Sequence, residues 1–138
     1  MRKYLELTTL ELLCPPRQYK AILEEIEEGG PETADFWDKK EQEIAAIWRF
    51  MPGPFQTVAG NGGTRANLHF FKGSADWWIT EKDSDPRQTQ MFGISGLGFN
   101  CRVYDFFSLP ELKNNNAELD LYWEPKTTRE ILNETAHL

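Results

Sequence analysis

Trp77-Trp78-Ile79-Thr80-Glu81 decides the fold, because its aromatic and β-branched composition is that of a strand. In an extended chain Trp77, Ile79 and Glu81 face one way, and Trp78 and Thr80 face the other. A tryptophan at the start of each face predicts a strand covered on both sides. Upstream, Leu68-His69-Phe70-Phe71 has the same character, and Lys72-Gly73-Ser74-Ala75-Asp76 between the two runs has the small, polar make-up of a hairpin loop. Downstream, Glu81-Lys82-Asp83-Ser84-Asp85-Pro86 reads as a solvated turn, with Pro86 unable to donate to a ladder. Further strands are expected at residues 90–94 and within residues 102–106, and Gly96 and Gly98 mark a turn, bulge or close backbone approach. Consecutive runs joined by short loops give an antiparallel sheet.

Outward from this block, Ser108-Leu109-Pro110-Glu111 carries a capping-box spacing for a helix that Asn114-Asn115-Asn116 keeps short. Glu118-Leu119-Asp120-Leu121-Tyr122-Trp123 alternates strictly and predicts a last strand, with Leu119, Leu121 and Trp123 on one face. Thr127-Thr128-Arg129-Glu130 then offers a second capping box and starts a C-terminal helix. Toward the N-terminus, residues 4–14 are leucine-rich and fit a strand or a short helix. Tyr19, Ile22, Leu23 and Ile26 recur at helical spacing over residues 17–28, and Gly29-Gly30 ends that helix. A second helix is expected from Thr33 or Asp35 to about Phe50. Trp37, Ile44, Ile47, Trp48 and Met51 form its apolar stripe, residues 38–43 its wet side, and Met51-Pro52-Gly53-Pro54 its stop.

The chain has 138 residues, 40% of them hydrophobic and 13% aromatic, enough for one domain with its own core. Its net charge is −7. Residues 1–50 carry 7 basic and 11 acidic groups, and residues 51–138 carry 8 and 11, so neither half is a basic module and a phosphate-tracking surface is disfavoured. Cys14 and Cys101 lack metal-site spacing and read as two free thiols of a cytoplasmic protein. Glu6 and Glu11 interrupt any leader-like apolar run, and no run approaches the ~18 residues of a membrane span. A soluble, cytoplasmic protein is expected.

Several motifs occur in one order: Phe70-Phe71, Trp77-Trp78-Ile79-Thr80-Glu81 with Asp83, Phe92-Gly93-Ile94, Phe106-Phe107-Ser108-Leu109 with Glu111-Leu112, and Leu119-Asp120-Leu121-Tyr122-Trp123-Glu124-Pro125. Together they resemble a bacterial family of proteins, domain-of-unknown-function family 2958, over about residues 68 to 131. Residues 1–66 have no counterpart in that pattern, and Asp105-Phe106 replaces its Gly-Tyr pair. The resemblance implies an accessory product of a mobile genetic element and transfers no functional residue.

Chemistry-bearing residues are few. His69 has no ligand-rich neighbours in sequence and reads as a hydrogen-bonded strand residue, and His137 lies near the end. Gly60-Asn61-Gly62-Gly63-Thr64-Arg65 looks like an anion cradle but leads into a strand, so a flexible loop is favoured. Glu81, Asp83 and Asp85 read as a solvated turn rather than an acid/base pair or a cation site. Gly93-Ile94-Ser95-Gly96 is one residue short of a nucleophile elbow, and Cys101 is assigned to packing. Trp78, Phe106 and Tyr122, edged by Arg102 and Lys72, would form a stacking platform for single-stranded nucleic acid, unless helices cover them. Glu24-Glu25-Glu27-Glu28 reads as a solvated helix face.

The sequence therefore predicts a single α+β domain with a four- to five-stranded, mainly antiparallel sheet. N-terminal helices pack on one face, and a short C-terminal helix follows. Residues 1–66 form the helical part with its Gly-rich loop, and residues 67–138 the sheet-containing part. The first expectation for function is a non-catalytic protein-binding factor with no cofactor or metal, using the sheet's free face or the acidic helices. Trp78, Arg102, Tyr122 and Glu81 are its candidate binding residues. Nucleic-acid binding is the alternative, and an enzyme built on Glu81, Asp83 or His69 the third.

Overall fold

A computed structural model describes residues 8–54, 56, 64–98 and 102–135. The leucine-rich start is a helix, α1 (Thr8–Leu13), and both of its ends are closed by distant charged side chains. The Glu41 carboxylate accepts the backbone N–H groups of Thr9 at 3.1 Å and Leu10 at 2.9 Å. At the other end the Lys113 ammonium donates to the carbonyls of Glu11 at 3.0 Å and Leu12 at 2.9 Å. Six residues are too few to hold a helix on propensity alone, so these caps and the burial of Leu10 and Leu13 do so.

The next helix, α2 (Pro16–Glu28), buries Ile22 and Ile26, while Leu23 of the expected stripe lies at the surface. Its end is extended at Gly29, because Pro31 opens α3 (Pro31–Phe50) almost at once. That start is two residues earlier than Thr33, since proline's fixed φ suits a first helical turn. Trp37 and Ile44 are buried as expected. Glu41 corrects the expectation: it sits within the supposed wet side but is buried, because it caps α1. Lys82 performs the matching service for α3, donating to the carbonyls of Trp48 at 2.8 Å and Arg49 at 3.3 Å.

The sheet comprises β2 (Leu68–Lys72), β3 (Ala75–Glu81), β4 (Met91–Leu97), β5 (Arg102–Phe107) and β6 (Glu118–Leu119). Their order is β5-β4-β3-β2-β6, and every pairing is antiparallel. The β2–β3 loop is tighter than the sequence predicts: Lys72 pairs with Ala75, leaving only Gly73 and Ser74, with Gly73 at φ +58. The register shifts between Ile79 and Glu81, opposite Gly93, where a Cβ would overlap the Trp78 carbonyl oxygen. Two short strands, β1 (Arg65–Ala66) and β7 (Lys126–Thr127), pair separately.

The Thr127 capping box forms in full, and the Ser108 one only by the serine half. Ser108 accepts the Glu111 N–H at 3.3 Å to open α4 (Leu109–Asn114). Thr127 and Glu130 exchange bonds of 3.1 and 3.2 Å to open α5 (Thr128–Thr135). The predicted last strand does not extend to Trp123. Asp120 ends it, its side chain accepting the Tyr122 N–H at 3.0 Å and its carbonyl the Trp123 N–H at 3.4 Å. Leu119 and Trp123 therefore join different clusters.

The sheet divides the interior in two. Leu68, Phe70, Ile79, Met91, Phe107 and Leu119 pack with α1 to α4. On the opposite face Ala66, Trp78 and Ile94 pack beneath Ile131 of α5, with Trp123 and Leu132 alongside. This is the α+β arrangement the sequence predicts. Among the described residues no helix is long and apolar enough to cross a membrane.

Candidate binding surface

The face beneath α5 is built around His69. Its Nδ1 lies 3.0 Å from Asp120 and its Nε2 2.8 Å from Asp76. The ring stacks on Trp78 at 5.4 Å and meets Trp123 at 5.0 Å and Phe71 at 5.9 Å. With a carboxylate on each ring nitrogen, neither nitrogen is left to ligate a metal or activate a nucleophile. His69 is the hydrogen-bonded strand residue the sequence predicts. Among the described residues no group of three or more His, Cys, Asp or Glu is arranged to hold a metal ion.

Trp78 and Arg102 come together, but as structure. The Arg102 guanidinium lies 4.6 Å above the Trp78 ring and donates to the Ile131 carbonyl at 2.6 Å and to Glu134 at 3.1 Å. Lys126 donates to the same Glu134 at 2.8 Å. Burial pushes the Glu134 carboxyl up, yet the bonds from Lys126 and Arg102 outweigh it, so the net shift is downward. Trp78 is left 5% exposed, beneath the C-terminal helix rather than the N-terminal ones. Tyr122 is 71% exposed but stands by α3, where the Lys40 ammonium lies 4.9 Å from its ring. The stacking platform of Trp78, Phe106 and Tyr122 is therefore not assembled.

The carboxylates at 81, 83 and 85 differ in setting. Glu81 is buried at the end of β3. Asp83 organises the turn, accepting the N–H groups of Asp85 at 3.2 Å and Gln90 at 3.0 Å, while buried Gln88 donates to its carbonyl at 2.9 Å. Asp85 takes three bonds from Arg87, whose side chain holds the Asp85 carboxyl down at about 2. This turn is a folded loop rather than merely a solvated one. His69 and Asp83 thus serve separate structural tasks, one under α5 and one in the turn after β3. Cys101, His137 and the glycines at 60, 62 and 63 lie outside the described residues. Cys14 is buried, and desolvation pushes its thiol up to about 12.

Among the described residues, four of the eight exposed large hydrophobic side chains fall on β5 and the end of β4. Leu97 is 64% exposed, Val103 56%, Phe106 55% and Tyr104 50%. Phe92 stacks on Tyr104 with centroids 5.8 Å apart and the planes 5° from parallel, and it meets Phe106 at 5.0 Å. Antiparallel pairing of Phe92 with Phe106 and Ile94 with Tyr104 puts this group on the α5 side, with Val103 on the other. The Phe106 N–H is bonded by Asp105 at 2.8 Å. The sequence singled out Phe106 but missed Tyr104 and Phe92, although Arg102, Tyr104 and Phe106 alternate.

A second exposed group lies across the molecule. Glu25, Glu32, Thr33, Phe36, Trp37 and Tyr122 line a cleft of 300 Å³ between α2, α3 and the turn after β6.

In comparison with known proteins, the chain matches no family model, no curated protein and no solved structure.

Proposed function

We propose that this chain is a non-catalytic protein-binding accessory factor that meets its partner along the outer edge of the sheet. The observation that carries the reading is the concentration of exposed apolar side chains on β5 and the adjoining end of β4. Aromatic residues are enriched in interface cores, and a contiguous apolar patch costs free energy in water unless something covers it. Tyr104 and Phe106 present rings on one face and Val103 an aliphatic side chain on the other, so a partner would grip the edge from both sides. Asp105 already occupies the Phe106 N–H, which favours recognition through side chains over simple strand addition. The mobile-element setting belongs to the same proposal and rests on the resemblance of residues 68–131; a cytoplasmic setting rests on the sequence expectation.

The test is a pull-down from bacterial lysate, with and without nuclease, using the wild-type chain and a Tyr104→Asp/Phe106→Asp variant. A protein retained after nuclease by the wild type and lost with the variant supports the reading. A partner held equally by both refutes the edge as its site. Capture abolished by nuclease would transfer the assignment to nucleic acid.

A further inference from the structure

We infer a second recognition surface, independent of the β5 edge, that takes a basic peptide segment in the cleft where α2 meets α3. From Glu24 to Asp35 the chain holds Glu24, Glu25, Glu27, Glu28, Glu32 and Asp35 and no lysine or arginine, and all six carboxylates are exposed. Their placement opposes the helix. The last turn of α2 has no basic residue, so its glutamates face the negative end of the macrodipole. Glu24 and Glu28 are also like charges four residues apart, and Glu25 and Glu28 three apart. An incoming cation relieves both repulsions.

The cleft between these carboxylates is aromatic rather than merely acidic. Phe36 is half-exposed, its ring set edge-on to Trp37 at 5.1 Å, and Tyr122 forms the facing wall. The Lys40 ammonium, 4.9 Å from the Tyr122 ring and 5.8 Å from Phe36, shows that these rings accept a cation. Lys40 is itself paired with Glu43 at 3.2 Å, whereas Glu25 and Glu32 remain on the rim of the cleft. Trp37 supplies an independent sign. It lines the cleft, is 5% exposed, and among the described residues its buried indole N–H finds no acceptor. Buried donors are almost always bonded, so a peptide carbonyl that displaced the atoms covering this nitrogen as it entered the cleft would give it the acceptor it lacks. An arginine side chain stacked on Tyr122, with its guanidinium toward Glu25 and Glu32, answers the rings and the carboxylates, and only a backbone carbonyl of the peptide can answer the Trp37 N–H.

The test titrates an N-acetylated, C-amidated tetra-arginine peptide into the full chain at ~0.15 M salt, where bulk attraction is screened beyond about 8 Å. Calorimetry is expected to give saturable one-to-one binding, and the Trp37 indole resonance to shift. Tyr122→Ala leaves the net charge unchanged and removes an exposed ring, so it is expected to weaken binding about threefold to tenfold. Glu25→Gln/Glu32→Gln is expected to weaken it further. Absence of saturable binding overturns the inference, as does a Trp37 resonance unmoved at saturation. Unchanged affinity in Tyr122→Ala also overturns it, because the peptide would then be reading charge alone.

Discussion

Gln18 treats Leu119 as a neighbouring strand would: its side-chain amide accepts the Leu119 N–H and donates to the Leu119 carbonyl, each at 2.9 Å. One side chain from α2 thus closes the β6 edge of the sheet. Gln18→Ala leaves both Leu119 groups without these partners in a partly buried setting. The expected loss is about 1–3 kcal/mol, read as a lower urea midpoint at unchanged slope. A midpoint equal to wild type would mean that water replaces the amide at no cost.

Glu41 is the corresponding device for the helices. Its carboxylate takes the Thr9 and Leu10 N–H groups, and it is buried against α1. Charge-assisted bonds of this kind contribute about 1.5–3 kcal/mol, so Glu41→Ala is expected to cost at least that much. Glu41→Gln keeps one acceptor oxygen and should lose less. Chemical denaturation of both variants checks the order; equal losses would show that packing, not capping, dominates at this position.

Two acid–base expectations follow from the shifted groups, with opposite signs. Asp85 is lowered from 3.8 to about 2 by Arg87, so its pairing stabilises the fold above the unfolded value and is lost as pH falls through about 2. Titration of the Asp85 carboxyl by NMR should show that midpoint, and Arg87→Gln should return it to the ordinary range. A midpoint near 3.8 in the wild type would mean that the Arg87 bonds do not persist in solution.

Cys14 runs the other way: raised from 9.0 to about 12 by burial, it favours the fold fully below the unfolded value and ceases to do so as pH rises through about 12. In a Cys101→Ser background, Cys14 should resist iodoacetamide at pH 8 and react only after denaturation. Prompt labelling of the native chain would contradict its burial.

The expectations that held depend on neighbours in sequence. Period-two runs, the two N-caps and the proline breaks set most strands and helices, because a strand face or an N-cap is decided within a few residues. Several misses are partnerships across the chain, and others, such as the end of β6, are local turn chemistry. Glu41 looked like a solvent residue because its partners lie 31 and 32 positions away. Alternation promised that Trp123 would continue β6, but alternation says nothing of an aspartate that bonds its own backbone and turns the chain. Trp78 and Arg102 suggested a binding pair, and their proximity was real. What sequence could not supply was α5, which takes the Arg102 bonds and covers the ring.

The last prediction concerns the acidic end of α2, where favourable binding and favourable folding pull apart. Replacing Glu27 or Glu28 by lysine turns an adverse helix-end charge into a favourable one, worth about 0.3–1 kcal/mol each at low ionic strength. Both residues are exposed, so nothing in the core opposes the change. Glu27→Lys and Glu28→Lys are therefore expected to raise the thermal midpoint by a few degrees, with the gain shrinking as salt is added. The same substitutions should weaken capture of the tetra-arginine peptide. A pair of variants that gained neither stability nor lost peptide affinity would show that these carboxylates are too well solvated to feel the helix end, and the electrostatic half of the cleft argument would fall with it.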